Sequence, residues 1–343
     1  MPFEIETEAD IASIDARSNF NKATKCARRP EVLNVADLLA LVVRPPSMLV
    51  DGLIPAAGAT LMFGAPKSNK TLLAVQTGIA VASGHALCDQ FRVIESGAVL
   101  MLEQDDPAGP ASVQGILKRS QVPVEGIPFH LVPRVPFTFG LQFIEWLESE
   151  IVKRSIRLVI LDSYTALRGS RGPGVDIVKA EQQDLTLIDE LAKRTGSAIL
   201  IIHHSSKGSA GLNWSDQAAG TFAMSAATEA QIHISRFAEL DSNAPERLVR
   251  ARGRHLEGTE VVLRFRKETL DHEYLLEGGA APFYPLILQI QTAFETRTFS
   301  PKDLSQETGV SRATAHRQID RLYRSGALVK RGYGEYVLTG MRQ

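Results

Sequence analysis

Seven short runs of apolar, β-favouring residues recur between residues 60 and 265, and segments with helical spacing fill several of the gaps between them. The runs are TLMF (60–63), AVLMLE (98–103), LVILD (158–162), AILIIHH (198–204), AQIHISR (230–236), RLVRA (247–251) and VVLRF (261–265). A strand with one wet face alternates apolar and polar positions; most of these runs do not, as befits strands covered by helices on both faces. Helices are predicted over 71–83, 141–154 and 175–195. Strands separated by helices need crossover connections, so the expectation is an α/β layered fold with a mainly parallel sheet flanked by helices. The last two strands, 247–252 and 260–266, are close enough to pair as a hairpin across Gly258.

The pattern changes at both ends. Residues 1–32 are polar, acidic early and basic at Lys22, Lys25, Arg28 and Arg29, and predict a mobile arm. Val35, Leu38, Leu39 and Val42 then follow helical spacing until Pro45 and Pro46, which suits a short docking helix. Past Leu276 the stretch EGGAAP (277–282) predicts a flexible junction. Helices are expected over 282–295, 301–308 and 312–325. Ser300 is placed to cap the second, with Pro301 first and Asp303 third in it, and Ser311 to cap the third after the turn Gly309-Val310-Ser311. Two short strands about Tyr333-Gly334 complete a winged helix-turn-helix over 277–343, which leaves 33–276 as the main domain.

Composition narrows the classes. The 343 residues exceed one ordinary domain, and 44% hydrophobic with 22% charged residues is the balance of a soluble globular protein. A net charge of -1 implies no overall attraction to phosphate polymers or anionic lipid, so any nucleic-acid contact must be local. Cys26 and Cys88 are too few for a disulfide framework or a thiolate zinc site and suit a reducing compartment. No apolar run is long enough to span a membrane, and the first residues are acidic where a signal peptide is basic; a cytoplasmic protein is expected.

Candidate chemistry begins after the strand 60–63. Gly64, Ala65, Pro66, Lys67, Ser68, Asn69, Lys70 and Thr71, followed by Leu72, match G-x-x-x-x-G-K-[ST] except at Asn69. Such a loop turns backbone N–H groups and a helix N-terminus toward phosphate oxygens; here Lys70 would reach the terminal phosphates and Thr71 would hold magnesium. Asn69 is the replacement for glycine that best tolerates a left-handed backbone, although its side chain would crowd the phosphates and slow turnover. The bland alternative is an ordinary strand-to-helix turn. Against it, Glu103 and Asp162 each end a strand, where open α/β sheets place ligand chemistry. Asp162 would act on magnesium through water, and Glu103 would polarise the attacking water. The strand 198–202 delivers His203 and His204, one of which, His204 by choice, would report on the γ-phosphate. A histidine metal pair is the weaker alternative, since no third ligand lies nearby in sequence.

With these blocks in order, residues 35–268 resemble RecA-like ATPases of the RepA type, hexameric plasmid replication helicases and their AAA-family relatives. The matching segments are LVDGLIPAAGATLMFGAPKSNKT, VLMLEQDD, LVILDSYTAL and ILIIHHSSKG. The resemblance implies a RecA-like P-loop NTPase core, ATP and Mg2+ as ligands, and a ring-like homo-oligomer. It also implies a DNA-facing loop at Asp216 and Gly220-Thr221, where Thr replaces the usual Ser. The family's K-x-R-x-G stretch, which reaches into a neighbour's ATP site, corresponds to Arg250-Ala251-Arg252. Arg252 is the implied finger, with Arg254 as the alternative because the glycine is displaced to Gly258, and Lys207 is a second candidate charge.

From residue 299 to the end there are eight Lys/Arg against four Asp/Glu. Arg312, His316, Arg317, Arg321 and Arg324 follow helical spacing, and Lys330, Arg331 and Tyr333 fall on the wing, as in a DNA-reading helix and hairpin. A solvated basic face or a protein-docking module gives the same count. Two functions stay open: an ATP-driven, DNA-acting replicative helicase or loader of a plasmid or mobile element, and an ATP-gated DNA-binding regulator with little turnover. A RecA-like small-molecule kinase is a third and weaker reading, because no acceptor pocket is legible.

Overall fold

The computed structural model describes residues 32, 34–40, 47–106, 108, 110–172, 174–204, 227–236, 240 and 243–339. The chain divides into two units, 1–45 and 46–343. In the first, helix α1 (Val35–Ala40) starts at a reciprocal pair: Asp37 N donates to Asn34 Oδ1 at 3.0 Å and Asn34 N to Asp37 Oδ2 at 3.4 Å. The expected arm, apart from residue 32, lies outside the described residues, as do Cys26, Pro45 and Pro46.

The second unit opens with a small hairpin, β1 (Met48–Val50) and β2 (Ile54–Pro55). Then follow β3 (Gly58–Gly64), α2 (Lys70–Ser83), β4 (Ala98–Glu103), α3 (Pro110–Leu117), β5 (Phe129–Val132), α4 (Leu141–Arg154), β6 (Ile156–Asp162), α5 (Tyr164–Arg168), α6 (Ile177–Thr195), β7 (Ala198–His204) and β8 (Ala230–Ser235). Next come β9 (Glu246–Gly253), β10 (Leu256–Arg266) and β11 (Asp271–Glu277). The nine strands from β3 to β11 form one sheet in the order β11-β10-β9-β8-β3-β7-β6-β4-β5. From β8 through β5 neighbouring strands are parallel; β9, β10 and β11 join antiparallel. This is the expected α/β fold with a mainly parallel sheet.

The apolar runs are explained by burial on both faces. Along β7, Ala198, Leu200 and Ile202 pack under α2 with Met62, Leu73, Val75 and Ile160. Ile199 and Ile201 face the other way, against Phe143 and Leu147 of α4 and Leu185, Ile188 and Leu191 of α6. All five β7 positions have no solvent exposure. Truncating one of them, as in Ile201→Ala, costs about 2–5 kcal/mol because a sheet held on both faces cannot collapse into the gap.

Several details differ from the expectation. Strands β5 and β11 have no counterpart among the seven runs: both are edge strands whose residues are largely half-buried, so polar residues interrupt their apolar pattern. The β9–β10 hairpin turns at Arg254-His255, since Gly253 pairs with Leu256; Gly258 instead takes φ +93° where the register shifts. The stretch expected as a flexible junction is a 3-10 helix, Gly278–Phe283, with Ala280 and Ala281 buried.

Helices α7 (Tyr284–Phe294), α8 (Pro301–Thr308) and α9 (Arg312–Arg324) and the hairpin β12 (Leu328–Gly332) and β13 (Glu335–Leu338) complete the chain. Ser300 and Asp303 form a reciprocal capping box on α8, and Ser311 accepts from Thr314 N at the start of α9. These helices enclose a core of Ile287, Ile290, Phe299, Leu304, Ile319 and Leu322. A second cluster joins them to the sheet: Tyr284 is fully buried with Leu248, Val262 and Leu275, and its hydroxyl donates to Glu246 Oε1 at 3.2 Å.

Candidate nucleotide site

Strand β3 ends at Gly64 and α2 begins at Lys70, so the loop between them sits at the C-terminal edge of the parallel strands. Gly64 is required by a close approach: a Cβ there would lie 2.2 Å from the Ile234 carbonyl oxygen of β8. Lys67 and Asn69 both take the left-handed region, with φ of 62° and 70°, so Asn69 occupies the backbone conformation for which glycine is favoured. Two buried polar atoms of the loop, Ser68 Oγ and Asn69 Nδ2, have no hydrogen-bond partner. Ala65, Pro66 and Lys67 are exposed, and Leu72 is half-buried.

Lys70 is 4% exposed, and its ammonium donates to the Gly64 and Ala65 carbonyl oxygens, each at 3.0 Å. Burial lowers its pKa to about 8, against the opposing pull of Asp162 and Asp105, so it stays mostly protonated at neutral pH. One residue on, Thr71 Oγ1 donates to Asp162 Oδ2 at 2.6 Å across 91 residues of chain. Parallel pairing of β4 with β6 sets Glu103 beside Asp162. Burial, helped by the Asp162 charge, raises the pKa of Glu103 to about 7; the Asp105 and Asp106 N–H groups, each 3.0 Å from Oε1, oppose that rise.

A cleft of about 510 Å³ opens in front of these groups. Its acidic end is Glu103, Asp105, Asp106 and Asp162; Leu72, Ile116 and Leu270 line it as well, together with Arg119. The donor set beside Thr71 and Asp162 consists of hard oxygen atoms, which suit magnesium. Among the described residues no group of three or more His, Cys, Asp or Glu can hold a metal alone, so a cation here would share its coordination with substrate phosphates.

The loop, Lys70, Thr71, Glu103 and Asp162 therefore converge. His204 pairs with Gly64 in register on neighbouring strands, its side chain lying outside the described residues; His203 Nδ1 is 3.4 Å from Thr165 Oγ1. Arg252 and Arg254 do not join the cleft. Arg252 pairs with Gln231 near the start of β8, at the sheet edge away from the loop, and Arg254 forms an ion pair with Glu229 at 3.8 Å. Arg312, His316, Arg317 and Arg321 are exposed on α9, opposite its buried Ala315, Ile319 and Leu322, and Lys330 and Arg331 are exposed on β12. Lys207, Asp216 and Gly220-Thr221 lie outside the described residues. Cys88 is buried, which pushes its thiol pKa well up and leaves it unreactive.

Sequence reasoning missed the residues that hold the site from behind. Tyr164, fully buried two residues after Asp162, donates to Asp184 Oδ2 at 2.8 Å, and Arg171 binds the same carboxylate. Arg236, at the end of β8, donates to Lys67 O at 3.2 Å. Their only sequence signal is a polar residue just past an apolar run.

Fold and site together define a RecA-like P-loop ATPase domain. Residues 23–210, more than half of the chain, match the model of an AAA domain, and the chain belongs to that family. Among solved structures it is similar to the ATPase domain of a helicase, with a TM-score of 0.51 and 11% identity over 79% of this chain and 100% of that one. It is also similar to the RadB recombinase, with a TM-score of 0.45 and 16% identity over 64% of this chain and 91% of that one. No curated protein matches the chain. None of the described helices is long and apolar enough to cross a membrane.

Proposed function

We propose that the protein binds and hydrolyses MgATP and acts on DNA as a ring-forming motor, a replicative-type helicase or loader of a plasmid or other mobile element. The observation that carries this is the meeting of Lys70, Thr71, Asp162 and Glu103 at one sheet edge, with 2.6 Å between the Thr71 hydroxyl and the Asp162 carboxylate. The loop amides and Lys70 hold the triphosphate, and the ammonium exchanges its two loop carbonyls for phosphate oxygens. The apolar residues Leu72, Ile116 and Leu270 give the base a surface away from the carboxylates. Thr71 and Asp162 hold magnesium, which when bound neutralises phosphate charge. Glu103 accepts the proton of the attacking water, and His204 senses the terminal phosphate.

Arg252 acts in a neighbouring subunit's site. Its position at the far edge of its own sheet supports a role in trans, and Arg254 is engaged with Glu229. Residues 277–343 serve as a winged helix, with Arg312, His316, Arg317, Arg321, Lys330 and Arg331 directed to DNA. The RepA-type resemblance supports a hexamer and a cytoplasmic setting.

The second reading, an ATP-gated regulator, rests on Asn69, whose buried Nδ2 has no partner in the loop and impedes close approach of phosphate. ATP turnover with and without single-stranded DNA, measured alongside native mass with and without MgATP, separates the two. A motor shows DNA-stimulated turnover by a nucleotide-stabilised ring; sequence-specific duplex binding with negligible turnover selects the regulator. Lys70→Ala at wild-type ATP affinity rejects the site itself.

A further inference from the structure

We propose that Arg236 is a positioning residue for the phosphate loop, a role that rests on the nucleotide reading above. Arg236 directly follows Ser235, the last residue of β8, and β8 runs parallel to β3, so both strands end at the same edge. The two ends are in contact at Gly64, whose missing Cβ makes room for the Ile234 carbonyl. From there Arg236 Nη2 donates to Lys67 O at 3.2 Å, across 169 residues of chain.

The bond acts on the loop through peptide geometry. Lys67 holds a left-handed conformation that a residue with a side chain disfavours, so the loop needs an outside hold to keep it. The peptide joining Lys67 to Ser68 is planar, and its C=O and N–H point in opposite directions. Anchoring Lys67 O on the outer side therefore aims Ser68 N–H at the loop interior, where it donates to Ala65 O at 3.3 Å. Inward amides are the donors that a bound phosphate requires. The charge contributes too. Arg236 lies near enough to Arg247, itself 6% exposed, to help lower that guanidinium's pKa after burial, and an anion in the loop relieves this repulsion.

Arg236 is exposed, so its substitutions should fold. The test is equilibrium binding of ATP and ADP, steady-state turnover and melting temperature for Arg236→Ala, Arg236→Gln and Arg236→Lys. Arg236→Ala should weaken both nucleotides alike by about 10-fold and raise KM to match, with kcat within about twofold and melting temperature unchanged. Arg236→Gln, which keeps an N–H donor without the charge, should recover most of the affinity. Wild-type affinity in Arg236→Ala overturns the inference. So does a loss confined to ATP that Lys but not Gln repairs, because that marks a direct contact with the terminal phosphate. A loss that tracks a lower melting temperature also overturns it, as a mere structural role. Should the wild-type protein bind neither nucleotide, the site reading falls and this inference falls with it.

Discussion

Replacing Glu103 with Gln gives the sharpest test of the acidic edge, because it couples stability to pH through one buried group. Glu103 is 2% exposed, and burial with the neighbouring Asp162 charge raises its pKa from 4.5 to about 7. At 1.36 kcal/mol per pH unit, that displacement corresponds to roughly 3 kcal/mol between protonated and ionised forms. The folded state binds this proton more tightly than the unfolded chain does. Its contribution is therefore fully present below the unfolded pKa of 4.5 and is lost as pH rises through about 7. Glutamine has no proton to lose, and other carboxylates common to both proteins cancel. Urea unfolding of wild type and Glu103→Gln, without magnesium or nucleotide, should show wild type losing up to roughly 3 kcal/mol relative to the variant between about pH 5 and pH 8. Added magnesium should shrink the difference, since a cation beside Asp162 favours the ionised form. Curves that stay parallel across this range refute the placement of Glu103 as a buried, charge-coupled carboxyl. The same ionisation governs catalysis: wild-type kcat/KM should climb with pH to a plateau above about 7, and the Gln variant should bind ATP without turnover.

Asn69→Gly removes a side chain from a left-handed position, with its unpartnered amide, and should tighten ATP binding by about 3- to 10-fold with faster turnover; titration calorimetry showing equal or weaker binding would reject the crowding account. Arg252→Ala should spare nucleotide binding and abolish the part of turnover that rises with protein concentration, while Arg254→Ala leaves that part intact; the reverse pattern moves the finger to Arg254. Arg317→Ala with Arg321→Ala should weaken duplex DNA binding and reduce the salt slope by about 1 for each phosphate no longer neutralised, and an unaltered slope removes α9 from the DNA interface.

Much of the phosphate loop was legible in the sequence. Glycine at 64, asparagine at 69 and the Lys70-Thr71 pair announce a turn with left-handed residues opening a helix, and these are local backbone properties. Strand ends at Glu103 and Asp162 were equally readable, since an apolar run that stops at an acid must leave the core there. The caps Ser300 and Ser311 show the same local logic. Edge strands were harder. Phe129–Val132 and Asp271–Glu277 are largely half-buried, and their polar positions dilute the signal that marks a central strand.

What the sequence by itself determined is where the chain forms helix, central strand and phosphate loop, because each depends on residues within a few positions and on which side chains shun water. Only the tertiary structure decided that β7 lies between β3 and β6, that Thr71 meets Asp162, and that Arg236 grips Lys67. Those pairings join residues 91 and 169 positions apart, and their free energy arises from the packing of whole layers, to which no single stretch of sequence holds the key.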